Sequence, residues 1–143
     1  MKTWLICTLK QAAWAPLIVF VFYAVAEKGF NAYILYPWVD TPTHFFGGVA
    51  ITYFFSVGTV HAQEIVGRIH PVIRMFLSLG LTAIIAVVWE FLEYLSDIAL
   101  DTKLNLGVSD TLSDLFFGLL GGAIAISLIW IVDRNQVRRV VRS

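Results

Sequence analysis

Acidic residues recur at helical spacing in this sequence, and one histidine shares the pattern. Asp40 and His44 are four residues apart, so they lie about 40° apart around a helix. Glu90, Glu93 and Asp97 occupy positions i, i+3 and i+7 of a second segment. This spacing places three carboxylates on one face of an otherwise apolar helix.

A third acidic pair, Asp110 and Asp114, begins the last apolar stretch. Carboxylates with one imidazole suit hard or borderline divalent cations, which predicts a site for Mg²⁺, Mn²⁺ or Ca²⁺ before Zn²⁺ or Fe²⁺. Such an ion binds phosphate oxygens or activates water, and a free Glu or His then serves as general base. The candidate metal ligands are His44, Glu90, Glu93, Asp97 and Asp114, and the candidate catalytic residues are Asp40, His44 and Asp110.

Several of these acids also fit ordinary structural roles. Asp40 and Asp110 stand where helices are expected to begin, so either carboxylate could cap a helix. Asp114 loosely fits a capping box. Asp97 and Asp101 could be solvated loop acids. His44 could be a hydrogen-bonded packing residue, so both interpretations stay open for these positions.

Glu90 and Glu93 have no such role. They lie near the C-terminal end of an apolar helix, where the helix dipole disfavours negative charge. A carboxylate within the hydrocarbon costs roughly 2 to 3 kcal/mol unless it is paired, protonated or shielded. No lysine or arginine is expected in the outer halves of the spans. A bound cation, a shared proton or water must therefore offset this cost.

Composition identifies the class of protein that must position these residues. The chain has 143 residues, of which 59% are hydrophobic and 14% are charged, so a soluble enzyme is excluded. Its net charge of zero gives no indication of nucleic-acid binding. The single cysteine, Cys7, cannot form an intrachain disulfide. Glycine-rich phosphate loops, G-x-S-x-G elbows and H-E-x-x-H motifs are absent from the sequence.

Four apolar segments predict an all-α integral membrane bundle of four transmembrane helices, forming a single domain over residues 1–143. The expected spans are residues 12–26, 42–59, 71–95 and 111–132, followed by a basic tail over residues 133–143. The first segment is short for a span. Its small residues Ala24-Val25-Ala26 leave a cleavable signal peptide as an alternative.

Basic residues retained on the cytoplasmic side set the orientation. An arrangement with both termini inside places eight of the ten lysines and arginines in the cytoplasm, leaving Lys28 and Lys103 outside. The paired acids then gather near the external face of a multi-pass protein, which we expect in a bacterial inner membrane. The tail would bind anionic headgroups of membrane lipids.

Three motifs resemble those of YjdF-type bacterial inner-membrane proteins and, more distantly, the VanZ-like family. They are Asp40-x-x-x-His44-Phe45, Trp89-Glu90-x-x-Glu93 and Asp110-Thr111-x-x-Asp114-x-x-x-Gly118-x-x-x-Gly122. The resemblance implies a small helical bundle with polar residues at one membrane face and no settled activity. Thr41, Glu93 and Asp114 stand where VanZ-like proteins commonly have Lys, Gln and Asn, which makes this site more acidic.

Three functions are compatible with these features. The first is a metal-dependent hydrolase or transferase acting on a lipid or lipid-linked phosphate at the outer face. The second is a cation or proton transporter subunit, which needs a polar path to the cytoplasm. The third is a scaffold whose acidic pocket receives a basic partner. An oligomer is compatible with each of them.

Overall fold

The computed structural model describes residues 2–100 and 102–142, and the side chains of residues 3–100 and 102–133. Asp101 and the side chains of the basic tail beyond Asp133 lie outside this description. The elements are α1 (Lys2–Ala12), α2 (Trp14–Phe30), α3 (Ala32–Leu35), a 3₁₀ turn (Pro37–Val39), α4 (Asp40–Val66), α5 (Pro71–Leu100) and α6 (Val108–Arg142). The described residues contain no strand, which confirms the all-α prediction.

Three helical segments are long and apolar enough to cross a membrane, namely Pro37–Val66, Pro71–Leu100 and Val108–Asp133. Each contains one of the predicted spans and continues past it. A helix can continue through polar residues that lie beyond the hydrocarbon. Hydropathy detects only the apolar part of the helix, so the predicted spans are shorter than the helices. These segments support the predicted helical membrane bundle.

The first predicted span, residues 12–26, is broken in the structure. α1 and α2 are bent by 55° relative to each other, and they make a fourth span only if the bent pair crosses as one unit. Pro16 explains the break, because its ring conflicts with the carbonyl of Ala12 and it has no N–H to donate. α2 then continues to Phe30 and ends at Asn31, which has a left-handed conformation with φ 49°.

α4 lies at the centre of the bundle and packs most extensively on α6. The two backbones approach so closely that a Cβ on Gly48 would overlap the carbonyl oxygen of Gly118. A Cβ on Gly121 would likewise overlap the carbonyl oxygen of Phe45. Close approach at small residues is typical of helix packing in lipid, and here it fixes the register of α4 against α6.

The bundle interior is made of small and polar side chains. Thr52 and Thr82 are fully buried, and their hydroxyl oxygens are 2.8 Å apart. Large apolar side chains lie outside instead, with Phe76 73% exposed on α5. This pattern is the one expected when lipid rather than water surrounds the helices.

α4 begins, α5 ends and α6 begins at the same end of the bundle, because the three helices alternate in direction. We call this end, which carries Asp40, Glu90, Glu93 and Asp114, the acidic end. At the opposite end Arg74 lies 4.0 Å from Asp133, and His61 Nε2 lies 2.9 Å from Gln11 Oε1.

Candidate functional site

His44 is the centre of the acidic end. Its Nε2 lies 3.2 Å from Oδ1 of Asp40, one helical turn earlier. Its Nδ1 faces α5 and lies 3.8 Å from Oε1 of Glu90. Both ring nitrogens are therefore directed at carboxylates, on two different helices.

Two overlapping groups of potential ligand atoms share this histidine. Asp40, His44 and Asp114 form one group, and His44, Glu90 and Glu93 form the other. Within each group the atoms lie within 4.8 Å of one another. We call these five residues the carboxylate–histidine cluster. Each group joins two helices, α4 with α6 in the first group and α4 with α5 in the second.

The acids of the cluster are removed from solvent. Asp114, Glu93 and Glu90 are 2%, 5% and 6% exposed. Both carboxylate oxygens of Glu90 and Oδ2 of Asp114 are buried, and among the described residues none of them accepts a hydrogen bond of ordinary geometry, although the Thr111 hydroxyl interacts with the Glu90 carboxyl. A buried carboxylate without a partner is costly, so these oxygens indicate a missing positive group or donor.

Glu93 is held differently from Glu90. Its Oε1 accepts a hydrogen bond of 2.9 Å from the indole Nε1 of Trp89, one turn earlier on α5. The indole in turn contacts Tyr23 of α2 edge to face, with ring centroids 4.9 Å apart. Trp89 therefore fixes the Glu93 carboxylate and connects it to α2.

The glycine contacts bring the cluster together. The Gly48 and Gly118 contact lies one turn after His44 on α4 and one turn after Asp114 on α6. A Cβ on Gly118 would lie 3.6 Å from the carbonyl oxygen of His44. The glycine-bearing faces of α4 and α6 thus pack together and bring Asp114 next to His44.

Asp97, predicted as a metal ligand, lies outside both groups and closes the loop between α5 and α6. Its Oδ1 accepts hydrogen bonds from the Thr102 hydroxyl at 2.6 Å and the Leu104 amide at 2.9 Å. Its Oδ2 accepts one from the Asn105 amide at 2.9 Å. The loop therefore satisfies both carboxylate oxygens, a role that sequence spacing alone did not indicate.

Asp110, predicted as a catalytic residue, also lies outside the two groups. Its Oδ2 accepts a hydrogen bond of 2.9 Å from the Leu106 amide just before α6, which fits the structural role considered for it. Asp40 behaves differently, since the start of α4 has no side-chain cap and Asp40 contacts His44 instead.

Two cavities reach the cluster from different sides. One, of about 230 Å³, lies between α2, α4 and α5 and has His44 and Thr43 among its lining residues. The other, of about 380 Å³, lies between α5 and α6 beside the α5–α6 loop and is lined in part by Glu90, Thr111 and Asn105. The closest approach of His44 to Glu90 thus separates the two cavities.

Tyr33 is a neighbour of the cluster that the sequence did not single out. Its hydroxyl lies 3.0 Å from that of Thr43, and the Thr43 hydroxyl donates to the Val39 carbonyl. Burial raises the pKa of Tyr33 to about 12, so the phenol keeps its proton at neutral pH. Tyr23 was missed, and Trp89 was noted only as part of the motif Trp89-Glu90-x-x-Glu93, because aromatic residues in a membrane chain ordinarily indicate lipid anchors.

The chain forms long apolar helices that pack through glycines and enclose a polar cluster. These features define a multi-pass helical membrane protein. Residues 1–135 match the family described as "Predicted membrane protein (DUF2238)", so the chain belongs to that family. It is also similar to an uncharacterized protein of Thermotoga maritima, with 31% identity over 100 residues, covering 69% of this chain and 51% of the relative. The chain therefore spans about half the length of the curated relative it matches. No solved structure matches.

Proposed function

We propose that this membrane protein binds a divalent cation in its carboxylate–histidine cluster and uses it as a hydrolase or transferase on a phosphate ester of a membrane lipid. One observation carries the proposal. Both carboxylate oxygens of Glu90 are buried next to His44 and Glu93, and within the described part of the chain neither accepts a hydrogen bond of ordinary geometry.

Charge balance favours a cation. The cluster holds four carboxylates and one imidazole, so even a protonated His44 would balance only one of the acids. Among the described side chains, the arginine ion pair lies at the opposite end of the bundle, between Arg74 and Asp133. A divalent ion among the carboxylates would offset charge that no nearby lysine or arginine offsets.

The distance between His44 and Glu90 fits an ion between them. At 3.8 Å, Nδ1 and Oε1 are too far apart for a hydrogen bond. Two ligands that lie about 2.3 to 2.6 Å from one Ca²⁺ and roughly 100° apart are separated by this much, whereas an Mg²⁺ at about 2.0 to 2.1 Å would draw the two side chains closer together. Asp40 on the other ring nitrogen would orient the imidazole, as carboxylates do for metal-bound histidines. An oxygen-rich set with one nitrogen favours Mg²⁺, Mn²⁺ or Ca²⁺ over Zn²⁺ or Fe²⁺.

Protons shared between carboxyls are the alternative way to remove the charge. A carboxyl that shares its proton makes a short hydrogen bond to its acceptor. Glu90 makes no such bond within the described part of the chain. The geometry therefore supports an ion better than a shared proton.

Catalysis is better supported than transport. Below the cluster, the Thr52 and Thr82 hydroxyls bond to each other, and Thr82 also donates to the Ser78 carbonyl. These three side chains are at most 1% exposed, and α4 and α6 are in backbone contact beside them. A passing ion would find the bundle closed at this level.

A scaffold that receives a basic protein partner is also less well supported. Glu90, Glu93 and Asp114 are at most 6% exposed, so a partner's lysine or arginine could not reach them without separating the helices. In this proposal an ion would reach Glu90 through the adjoining cavity, whose lining includes Asn105 and Gly107 of the α5–α6 loop. Bound there, the ion would bind phosphate oxygens or activate water.

The proposal also includes the membrane face at which the cluster lies and the relationship of the chain to other membrane proteins. The excess of basic residues at the other end of the helices supports placing the cluster at the external face of a bacterial inner membrane. The three sequence motifs support kinship with YjdF-type and, distantly, VanZ-like proteins, and the family match supports the broader membrane class.

Elemental analysis of the purified protein tests the proposal. After equilibration with Mn²⁺ and removal of free ion, we expect a near-stoichiometric ion in the wild type and a loss of at least about tenfold in affinity in Glu90→Gln. Glu64→Gln, at the exposed far end of α4, is the matched control and should bind as the wild type does. Equal binding by all three proteins would contradict the proposal.

A further inference from the structure

The cavity between α2, α4 and α5 is apolar along its length and polar at one end. Val19, Ile51 and Ile85 are among its walls, whereas Thr43 and His44 lie at the acidic end. Such a combination is the pattern of a site that holds an amphiphile, with a hydrocarbon body and one polar group.

α2 and α5 both pack on α4 but not closely on each other, and the cavity lies between them. Phe20 and Tyr23 of α2 bridge to Trp89 of α5 near the acidic end. Farther from that end, the lining residue Ile85 is 36% exposed. Because α5 is a candidate membrane span, and α2 is one when it crosses together with α1, this side of the cavity would face the acyl chains of the bilayer.

We infer that this cavity binds one acyl chain of a glycerophospholipid, with the lipid phosphate at the His44 end. The inference rests on the proposed function and names its substrate class. Charge determines the headgroup, because a divalent ion at His44 attracts the anionic oxygens of a phosphate. The surrounding bilayer supplies acyl chains at this depth without any carrier.

The size of the cavity fits one chain. Its volume of about 230 Å³ is below the roughly 300 to 1,000 Å³ of pockets that enclose whole drug-sized ligands. Part of one narrow chain can occupy it, while the rest of that chain and the second chain of the lipid stay in the bilayer outside Ile85. The two cavities would then have separate roles, the ion and water entering beside Glu90 and the lipid entering between α2 and α5.

Photolabelling in vesicles tests this assignment. The protein is reconstituted with Mn²⁺ and a phosphatidic acid that carries a diazirine in the middle of one acyl chain, and labelled residues are mapped by mass spectrometry. We expect labels on Val19, Ile51 and Ile85. Phe76, on the outer surface of α5, reports general contact with lipid.

Two glycine variants separate the cavity from that general contact. Gly47→Leu would fill the cavity, since Gly47 lines it and a Cβ there would meet nothing nearer than Val19 at 4.0 Å. It should lower the cavity labels by at least about tenfold, equivalent to about 1.4 kcal/mol, and leave Phe76 labelled. The matched control is Gly80→Leu, at an exposed glycine with open space around it, and it should label as the wild type does.

A diacylglycerol with the same diazirine chain tests the headgroup, and the bound metal is measured in the same samples. Stronger cavity labelling by phosphatidic acid, lost in EDTA, supports the inference. Bound Mn²⁺ with no preference between the two lipids overturns it while leaving the proposed function standing. Absence of bound Mn²⁺ contradicts the proposed function itself. Cavity labelling by a diazirine polyprenyl phosphate in place of the acyl lipid would overturn the choice of chain.

Discussion

His44 Nδ1 and Glu90 Oε1 lie 3.8 Å apart, and the two side chains line different cavities. The imidazole is reached from the side of α2, and the carboxylate is reached from the loop before α6. An ion placed between them would lie beside both cavities. The proposed chemistry on a lipid phosphate would use the two cavities separately.

The approach of Gly48 to Gly118 should control both stability and ion binding. In Gly48→Ala the new methyl group would overlap the Gly118 carbonyl, so α4 and α6 must separate. We expect a loss of about 1 to 3 kcal/mol in unfolding free energy and weaker binding of Mn²⁺, measured by denaturation in detergent and by titration.

The same substitution at Gly80 is the control. Gly80 has open space around it, so Gly80→Ala should be neutral or stabilise the helix by up to about 1 kcal/mol. Equal effects at the two glycines would show that the contact between α4 and α6 does not organise the cluster.

Trp89 should act on the ion through Glu93. Trp89→Phe keeps a ring against Tyr23 but removes the N–H that holds the Glu93 carboxylate. We expect Mn²⁺ affinity to fall by about 10- to 100-fold, as is usual when a group that orients a ligand is lost. The control is Trp14, whose indole donates a hydrogen bond to the Gln11 carbonyl away from the acidic end. Trp14→Phe should leave the Mn²⁺ affinity unchanged. An unchanged affinity in Trp89→Phe would remove Glu93 from the ligand set.

Asp97 should matter for the loop and not for the ion. Asp97→Asn weakens the bonds to the Leu104 and Asn105 amides, and bonds to a charged acceptor contribute about 1.5 to 3 kcal/mol. We expect faster hydrogen exchange at these two amides together with unchanged Mn²⁺ affinity. A large loss of affinity with the loop still protected would restore Asp97 as a ligand.

Tyr33 should make stability depend on alkaline pH. Its pKa is about 12 in the fold, above the value of about 10 of a free tyrosine, so the folded state favours the protonated phenol. The stabilisation is complete below about pH 10 and is lost as pH rises toward about 12. Unfolding midpoints of the wild type should therefore fall more steeply over this range than those of Tyr33→Phe. Tyr36→Phe, which changes an exposed ring, is the control. Parallel curves for the wild type and Tyr33→Phe would contradict this.

Much of the helical layout could be predicted from the sequence, because apolar length and glycine spacing determine where membrane helices form and meet. Spacing around a helix also predicted that His44, Glu90, Glu93 and Asp114 would converge. It did not separate them from Asp97, because the loop that returns to bond Asp97 has no periodicity to reveal it. Hydropathy does not give the size of the bend before Pro16, because it averages over a break that one proline causes.

Pulsed electron paramagnetic resonance of bound Mn²⁺ shows whether His44 coordinates the ion, because electron spin echo modulation detects a ¹⁴N nucleus bound to the metal. We expect one imidazole nitrogen coupling in the wild type, its loss in His44→Gln and its retention in His61→Gln at the opposite end of the bundle. A bound ion without nitrogen coupling, or a coupling that survives in His44→Gln, would contradict coordination by His44.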